Sequence, residues 1–219
     1  AAPTGLRAKG EPRLVQGEPL DEDASLALLE DYGLQVPKRH VVGSVEQAVT
    51  WAQRIGYPVV LKTAAPGILH KSDVGGVQLN LRDEAELRSA YDELAQRLGA
   101  RMLLTRMAEK GTELALGGVA DPQFGMLLML GAGGTLIELL DDRAFALAPI
   151  DELEAERKLD GLKLRKLLDG VRGAQPAHLP SVLMAISRFS MMLADLDGLI
   201  AEADVNPLIA GPSACMAVD

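Results

Sequence analysis

The stretch "MLLMLGAGGTL", residues 126–136, decides between two folds. A glycine cluster directly after an apolar strand is how a dinucleotide-binding βαβ unit begins, but the third glycine of G-x-G-x-x-G would fall on Leu136, and the residues after it make a poor helix start. Upstream lies a second strand-like run, "TELALGGV", joined to "FGMLLMLGAGG" across "ADPQ", whose Asp-Pro starts a turn. The pair reads as an antiparallel hairpin, and the cluster as its far end. Gly131, Gly133 and Gly134 then either make a tight turn or let backbone N–H groups approach a phosphate closely.

Working outward, the second half continues with "DELEAERKLDGLKLRKLL", one or two short helices broken at Gly161, and "LPSVLMAISRFSMMLADL", one long apolar-striped helix. "LIAEADVNPLIAGPSACMAVD" reads as a strand, a turn at Asn206-Pro207 and a second strand. Upstream, "SVEQAVTWAQRIG" is a helix opened by Ser44 with Gln47 three residues on and closed by Gly56. "YPVVLK" is a strand, "GGVQLNL" another, "RDEAELRSAYDELAQRLGA" a helix between Asp83 and Gly99, and "RMLLTRM" a strand. "LDEDASLALLEDYG" gives a short helix with a stripe at Leu26, Leu29 and Tyr32. Residues 1–19 mix Pro, Gly and charge without a period and read as a linker, cut from something longer. Strands and helices mixed with hairpins predict an α+β fold, arranged as two α/β lobes.

The 219 residues carry 22 Lys plus Arg against 31 Asp plus Glu, a net charge of −9 that is the wrong sign for neutralising a nucleic-acid backbone. No apolar run approaches the roughly 20 residues of a membrane span, and the start lacks a signal-peptide centre, so the expected compartment is the cytoplasm. Cys215 is the single cysteine; it excludes an internal disulfide and reads as a buried strand residue. Hydrophobic residues make up 48% but aromatics only 3%, so the core must be aliphatic.

Lys62 ends an apolar strand, so its ammonium is expected to emerge at the sheet edge, either as a point charge for phosphate oxygens or as a solvated lysine. Asp204, Asn206 and Asp219 offer hard oxygen donors that suit magnesium, or else acids lining an Asn-Pro turn. Glu113 could meet a ribose hydroxyl or a metal. Between two apolar runs, "TAAPGILHKSDVGGVQL" (residues 63–79) carries His70 and Lys71 on a connection with Gly67 and the Gly75-Gly76 pair as expected hinges.

In order, "GYPVVLK", "HKSDVGGV", "DPQFG", "GAGGTLIELL", "GVRG" and "ADVNPL…AVD" resemble the ATP-grasp subunit or domain of the nucleoside-diphosphate-forming acyl-CoA synthetases, relatives of succinyl-CoA synthetase. The resemblance runs from about residue 21 to 219. It implies an ATP-grasp domain over residues 20–219 in which two subdomains clasp a nucleotide, a lid of about 40–104 and a larger part of about 105–219 with the N-terminal helix. It further implies the reaction carboxylate + CoA + ATP ⇌ acyl-CoA + ADP + phosphate, with ATP/ADP and Mg²⁺ bound here. Lys62, Glu113, Gly131, Gly133 and Gly134 would then meet the nucleotide, Asp204, Asn206 and Asp219 the metal, and His70 would carry phosphate. At the interlobe hinge the chain has Thr105-Arg106 where the family most often has Gln-Glu, leaving backbone contacts to recognise adenine. The CoA-binding and ligase domains would be partners, fused or separate, and without them this domain would not complete the ligation. The rival readings are a ligand-sensing regulatory module of a fused protein acetyltransferase and a carboxylate–amine ligase.

Overall fold

The computed structural model describes residues 5–14, 18–68, 71–134, 142–171 and 173–219. The chain divides into two compact units, a smaller one of residues 21–23 and 37–108 and a larger one holding the rest. The stretch expected to be a linker contains a short helix, α1 (Arg7–Gly10), followed by a 3₁₀ turn at Glu11–Arg13. It is ordered by packing: a Cβ on Gly10 would lie 2.9 Å from Leu28 and 3.0 Å from Tyr32, residues on and just after helix α2 (Glu22–Asp31). A glycine lets the backbone close onto that helix.

The smaller unit comprises β1 (Arg39–Val42), α3 (Val45–Ile55), β2 (Val59–Thr63), β3 (Val77–Leu81), α4 (Glu84–Leu98) and β4 (Met102–Arg106). Its four-stranded sheet has the order β1-β4-β2-β3, with every pair antiparallel. Both helices start where the sequence places caps. Ser44 accepts the Gln47 N–H at 3.3 Å and Asp83 accepts that of Glu86 at 2.9 Å, satisfying donors the helix itself cannot use. The Gln47 carboxamide reaches back to the N–H of Gly43, one residue before the expected Ser44. Gly56 and Gly99 close the helices at φ 85° and 91°. Spacing then decides the packing. α4 buries Leu87, Ala90, Tyr91 and Leu94, one face at helical period, against Leu61, Met102 and Leu104 of the sheet. On edge strand β3 the pairing with β2 slips between Val59 and Leu61, and Asn80 takes φ 59°.

The larger unit is built on a five-stranded antiparallel sheet, β7-β6-β5-β8-β9. Its strands are β5 (Thr112–Asp121), β6 (Gly125–Ala132), β7 (Arg143–Leu147), β8 (Glu202–Ala210) and β9 (Cys215–Ala217). The β5–β6 hairpin closes at "DPQFG", where the Asp121 carboxylate accepts the N–H groups of Gln123 and Phe124. Antiparallel pairing along the whole of β6 rules out the βαβ reading of the glycine cluster. Helices α5 (Glu152–Asp160) and α6 (Leu164–Leu168) flank Gly161, and the long helix α7 (Leu179–Asp195) buries Val182, Ile186, Phe189 and Leu193. α7 approaches β5 so closely that a Cβ on Gly118 would stand 2.3 Å from Leu193.

One expectation fails at the end of the chain. Asn206-Pro207 is no turn: β8 runs through it, with Pro207 in a cis peptide, and the reversal comes after Ala210. The reason is tertiary. Leu208 and Ala210 are buried and pair with both β5 and β9, while a register shift opposite Leu114–Leu116 takes up the irregularity at Pro207. Cys215 sits buried in β9 as read, and burial pushes its thiol up to about 12.

Within α4, two substitutions should separate packing from capping. Leu94→Ala is expected to lower unfolding free energy by about 2–5 kcal/mol, and Asp83→Ala by about 1 kcal/mol. Urea titrations of both variants check this; equal losses would mean that the helix is not held by its buried face.

Candidate functional site

In the larger unit the sequence candidates gather at one end of β5. Gly133 donates its N–H to the Glu113 carbonyl at 2.8 Å, and Gly134 donates to Asn206 Oδ1 at 3.1 Å. Added Cβ atoms would lie 2.6 Å from the Asp142 carbonyl oxygen at Gly131, 2.4 Å from that of Leu114 at Gly133, and 1.7 Å from Glu113 Oε2 at Gly134. Each glycine therefore permits a close approach. The N–H groups of Gly133 and Gly134 are engaged within the chain, one across to strand β5 and one by the Asn206 side chain.

Asn206 joins this end to the acids. Its N–H donates to the Asp219 carbonyl at 3.2 Å, and two residues earlier Asp204 lies opposite Gly117 of β5. The Asp204 side chain reaches solvent, yet surrounding protein strips part of its hydration and Asp219 and Glu202 add negative charge, so its carboxyl is raised above the ordinary aspartate range. Among the described residues no group of three or more His, Cys, Asp or Glu side chains is gathered to cage a metal. Two carboxylates and an amide, all oxygen donors with their negative charges crowded, fit magnesium that takes its remaining ligands from water and phosphate.

In the smaller unit, Lys62 does not emerge at a sheet edge. β2 is an inner strand, and the buried Lys62 ammonium lies 2.6 Å from Glu22 Oε1. The other oxygen of the same carboxylate is 2.8 Å from the Lys71 ammonium. Lys71 opens a turn that is tied down: Gly76 donates to the Lys71 carbonyl, Gly75 to that of Ser72, and Arg97 to that of Val74. The glycine pair expected to be a hinge closes this turn, since a Cβ on Gly76 would stand 2.7 Å from Thr63 of β2. Sequence reasoning passed over Glu22, whose only local mark is to be the middle acid of Asp21-Glu22-Asp23 at the start of α2. His70 lies outside the described residues.

Comparisons with known proteins agree with one another. Residues 15–219 match the model of the ATP-grasp domain family. The chain is 35% identical over 219 residues to the β subunit of an ADP-forming acetate–CoA ligase from Pyrococcus furiosus, covering 95% of this chain and 93% of that subunit. It is 38% identical over 198 residues to an ADP-forming 4-hydroxybutyrate–CoA ligase from Nitrosopumilus maritimus, a match covering 86% of this chain and 28% of the relative. The chain thus spans little more than a quarter of that second protein. Among solved structures, a dinucleotide-forming acetyl-coenzyme A synthetase from Ca. Korarchaeum cryptofilum, in complex with coenzyme A and Ca-AMPCP, has a TM-score of 0.87 at 37% identity, covering 98% of this chain and 96% of that one. The same enzyme with coenzyme A and Mg-AMPPCP, its phosphohistidine segment pointing towards the nucleotide binding site, has a TM-score of 0.81.

The crowding at Asp204 has a measurable consequence without ligand. A carboxyl raised in the folded state penalises folding above its folded pKa, and the penalty vanishes below the unfolded value. Asp204→Asn is therefore expected to raise the metal-free melting temperature slightly at pH 7 and to lose that advantage as pH falls through the carboxylate range. Scanning calorimetry across pH checks it; a variant less stable than wild type at pH 7 would contradict the repulsion.

Proposed function

The chain belongs to the ATP-grasp domain family, and from that premise we propose that it is the nucleotide-binding, phosphoryl-transfer part of an ADP-forming acyl-CoA synthetase, catalysing carboxylate + CoA + ATP ⇌ acyl-CoA + ADP + phosphate with its partner domains. The observation that carries this reading is the end-to-end match to a β subunit of such a ligase, in a chain whose Glu113, Asn206 and Gly134 converge at one end of β5. The acetyltransferase-linked sensor gains no support from the relatives described above, which are ligases and a synthetase.

The roles divide by chemistry. Asp204, Asn206 and Asp219 hold Mg²⁺, which when bound supplies charge neutralisation at the nucleotide phosphates. The Lys62 ammonium acts on phosphate oxygens as a point charge. Glu113, beside Gly134, accepts from a ribose hydroxyl, and the glycines keep Cβ atoms out of the space the backbone occupies there. His70 carries phosphate. In its neutral form the imidazole has a nitrogen lone pair that forms an N–P bond as the bond from phosphorus to the ADP oxygen breaks. The phosphate then passes to the partner domains, which bind coenzyme A and the acid, with the cytoplasm as the proposed compartment.

Isothermal calorimetry with ADP, adenosine and magnesium tests the binding roles. Asn206→Ala and Asp219→Ala are expected to weaken magnesium-dependent ADP binding roughly 10–100-fold while leaving adenosine unaffected. Lys62→Ala should likewise cost affinity for ADP and not for adenosine. Unchanged ADP affinity in all three would remove the assignment. For His70, the partner domains phosphorylated on histidine are mixed with this chain and ADP, and ATP is followed. His70→Ala should abolish ATP formation; a wild-type rate would mean that phosphate passes directly.

A further inference from the structure

Three consecutive acids, Asp21 just before α2 and Glu22 and Asp23 in its first turn, belong to the smaller unit, and each pairs with a cation of that same unit. Asp21 pairs with Arg101 and Asp23 with Arg39, in half-exposed contacts where the carboxylates are 49% and 44% accessible. Glu22 differs in kind. Its side chain is 6% exposed and each oxygen meets its own lysine, Lys62 from β2 and Lys71 from the turn before β3, with those side chains 7% and 13% exposed. An acid that only favours the helix start needs neither burial nor two partners. Removing a carboxylate from water is costly and is sustained only by close pairing, so this arrangement specifies where two ammonium groups stand.

We propose that Glu22 is a positioning residue, whose buried carboxylate holds the Lys62 and Lys71 ammonium groups side by side as a preset cation pair for the polyphosphate of the nucleotide. The inference rests on the nucleotide-binding reading and deepens it. A lysine side chain loses rotamer entropy when it is fixed, and a pair fixed beforehand does not lose it again when the ligand arrives. The carboxylate also keeps two like charges close together that would otherwise separate towards solvent. Glutamine at this place fills the same volume but accepts through one oxygen and turns an NH₂ donor towards the other ammonium, so one lysine is released.

The test uses the whole chain with ADP, inorganic tripolyphosphate and adenosine as calorimetric probes, and slow acylation of lysines by acetic anhydride read by mass spectrometry. In Glu22→Gln, ADP and tripolyphosphate should bind about tenfold more weakly, adenosine should be unchanged, and acylation of Lys62 or Lys71 should accelerate towards that of exposed Lys110. Glu22→Asp, which keeps two acceptor oxygens, should recover part of both effects. The losses from Glu22→Gln and Lys71→Ala should not add in the double variant. Unchanged or tighter tripolyphosphate binding in Glu22→Gln, an equal loss for adenosine, or additive losses would overturn the proposal. Wild type binding no ADP would remove the nucleotide reading itself; unchanged lysine acylation in Glu22→Gln would by itself overturn the tether.

Discussion

Strand β5 is paired on both edges, to β6 over Leu114–Asp121 and to β8 over Thr112–Val119, and the register of those two ladders determines the site of the larger unit. With Leu114 opposite Ala132 on one side and Leu208 on the other, Glu113 faces the glycines after β6, and Asn206, at the register shift opposite Leu114–Leu116, reaches Gly134 with its side chain. A slip of one residue would turn each of those side chains to the other face of the sheet. Buried Leu114, Leu116, Leu128 and Leu130 hold the register from the face covered by α7, so the polar end inherits its geometry from an aliphatic core.

The smaller unit shows a different division of labour. Its sheet and two capped helices form a core from Leu61, Leu87, Leu94, Met102 and Leu104, and within that frame Lys62 occupies an inner-strand position where an ammonium must find an acid. The acid comes from 40 residues earlier in the chain. The buried charge of this unit is thus arranged by segments that are distant in sequence and satisfied at short range.

Much of this was legible because it is local. Ser44 and Asp83 cap their helices, α4 runs between Asp83 and Gly99 and the Asp-Pro of "DPQFG" starts its turn, since each depends on residues within about one helical turn or hairpin. What was misread depends on pairing at a distance. Asn206-Pro207 has the composition of a turn, and only β5 and β9 make it the middle of a strand. The glycines after β6 could be read as a tight turn or as an approach to phosphate, but not as packed against the Glu113 side chain and the Leu114 carbonyl. Glu22 was hidden between two acids of the same type, and Gly10 in a stretch with no period.

The slip on β3 bears on how the molecule behaves among copies of itself. A straight edge strand offers a row of free backbone groups on which another chain can add, and β3 presents Leu79, 59% exposed, along such an edge. The irregular pairing opposite Val59–Leu61 and the left-handed backbone at Asn80, a conformation asparagine tolerates better than most residues, break that row after three residues. Strand addition finds no regular template there, so the edge guards against aggregation by its shape, with no charged side chain on β3 itself.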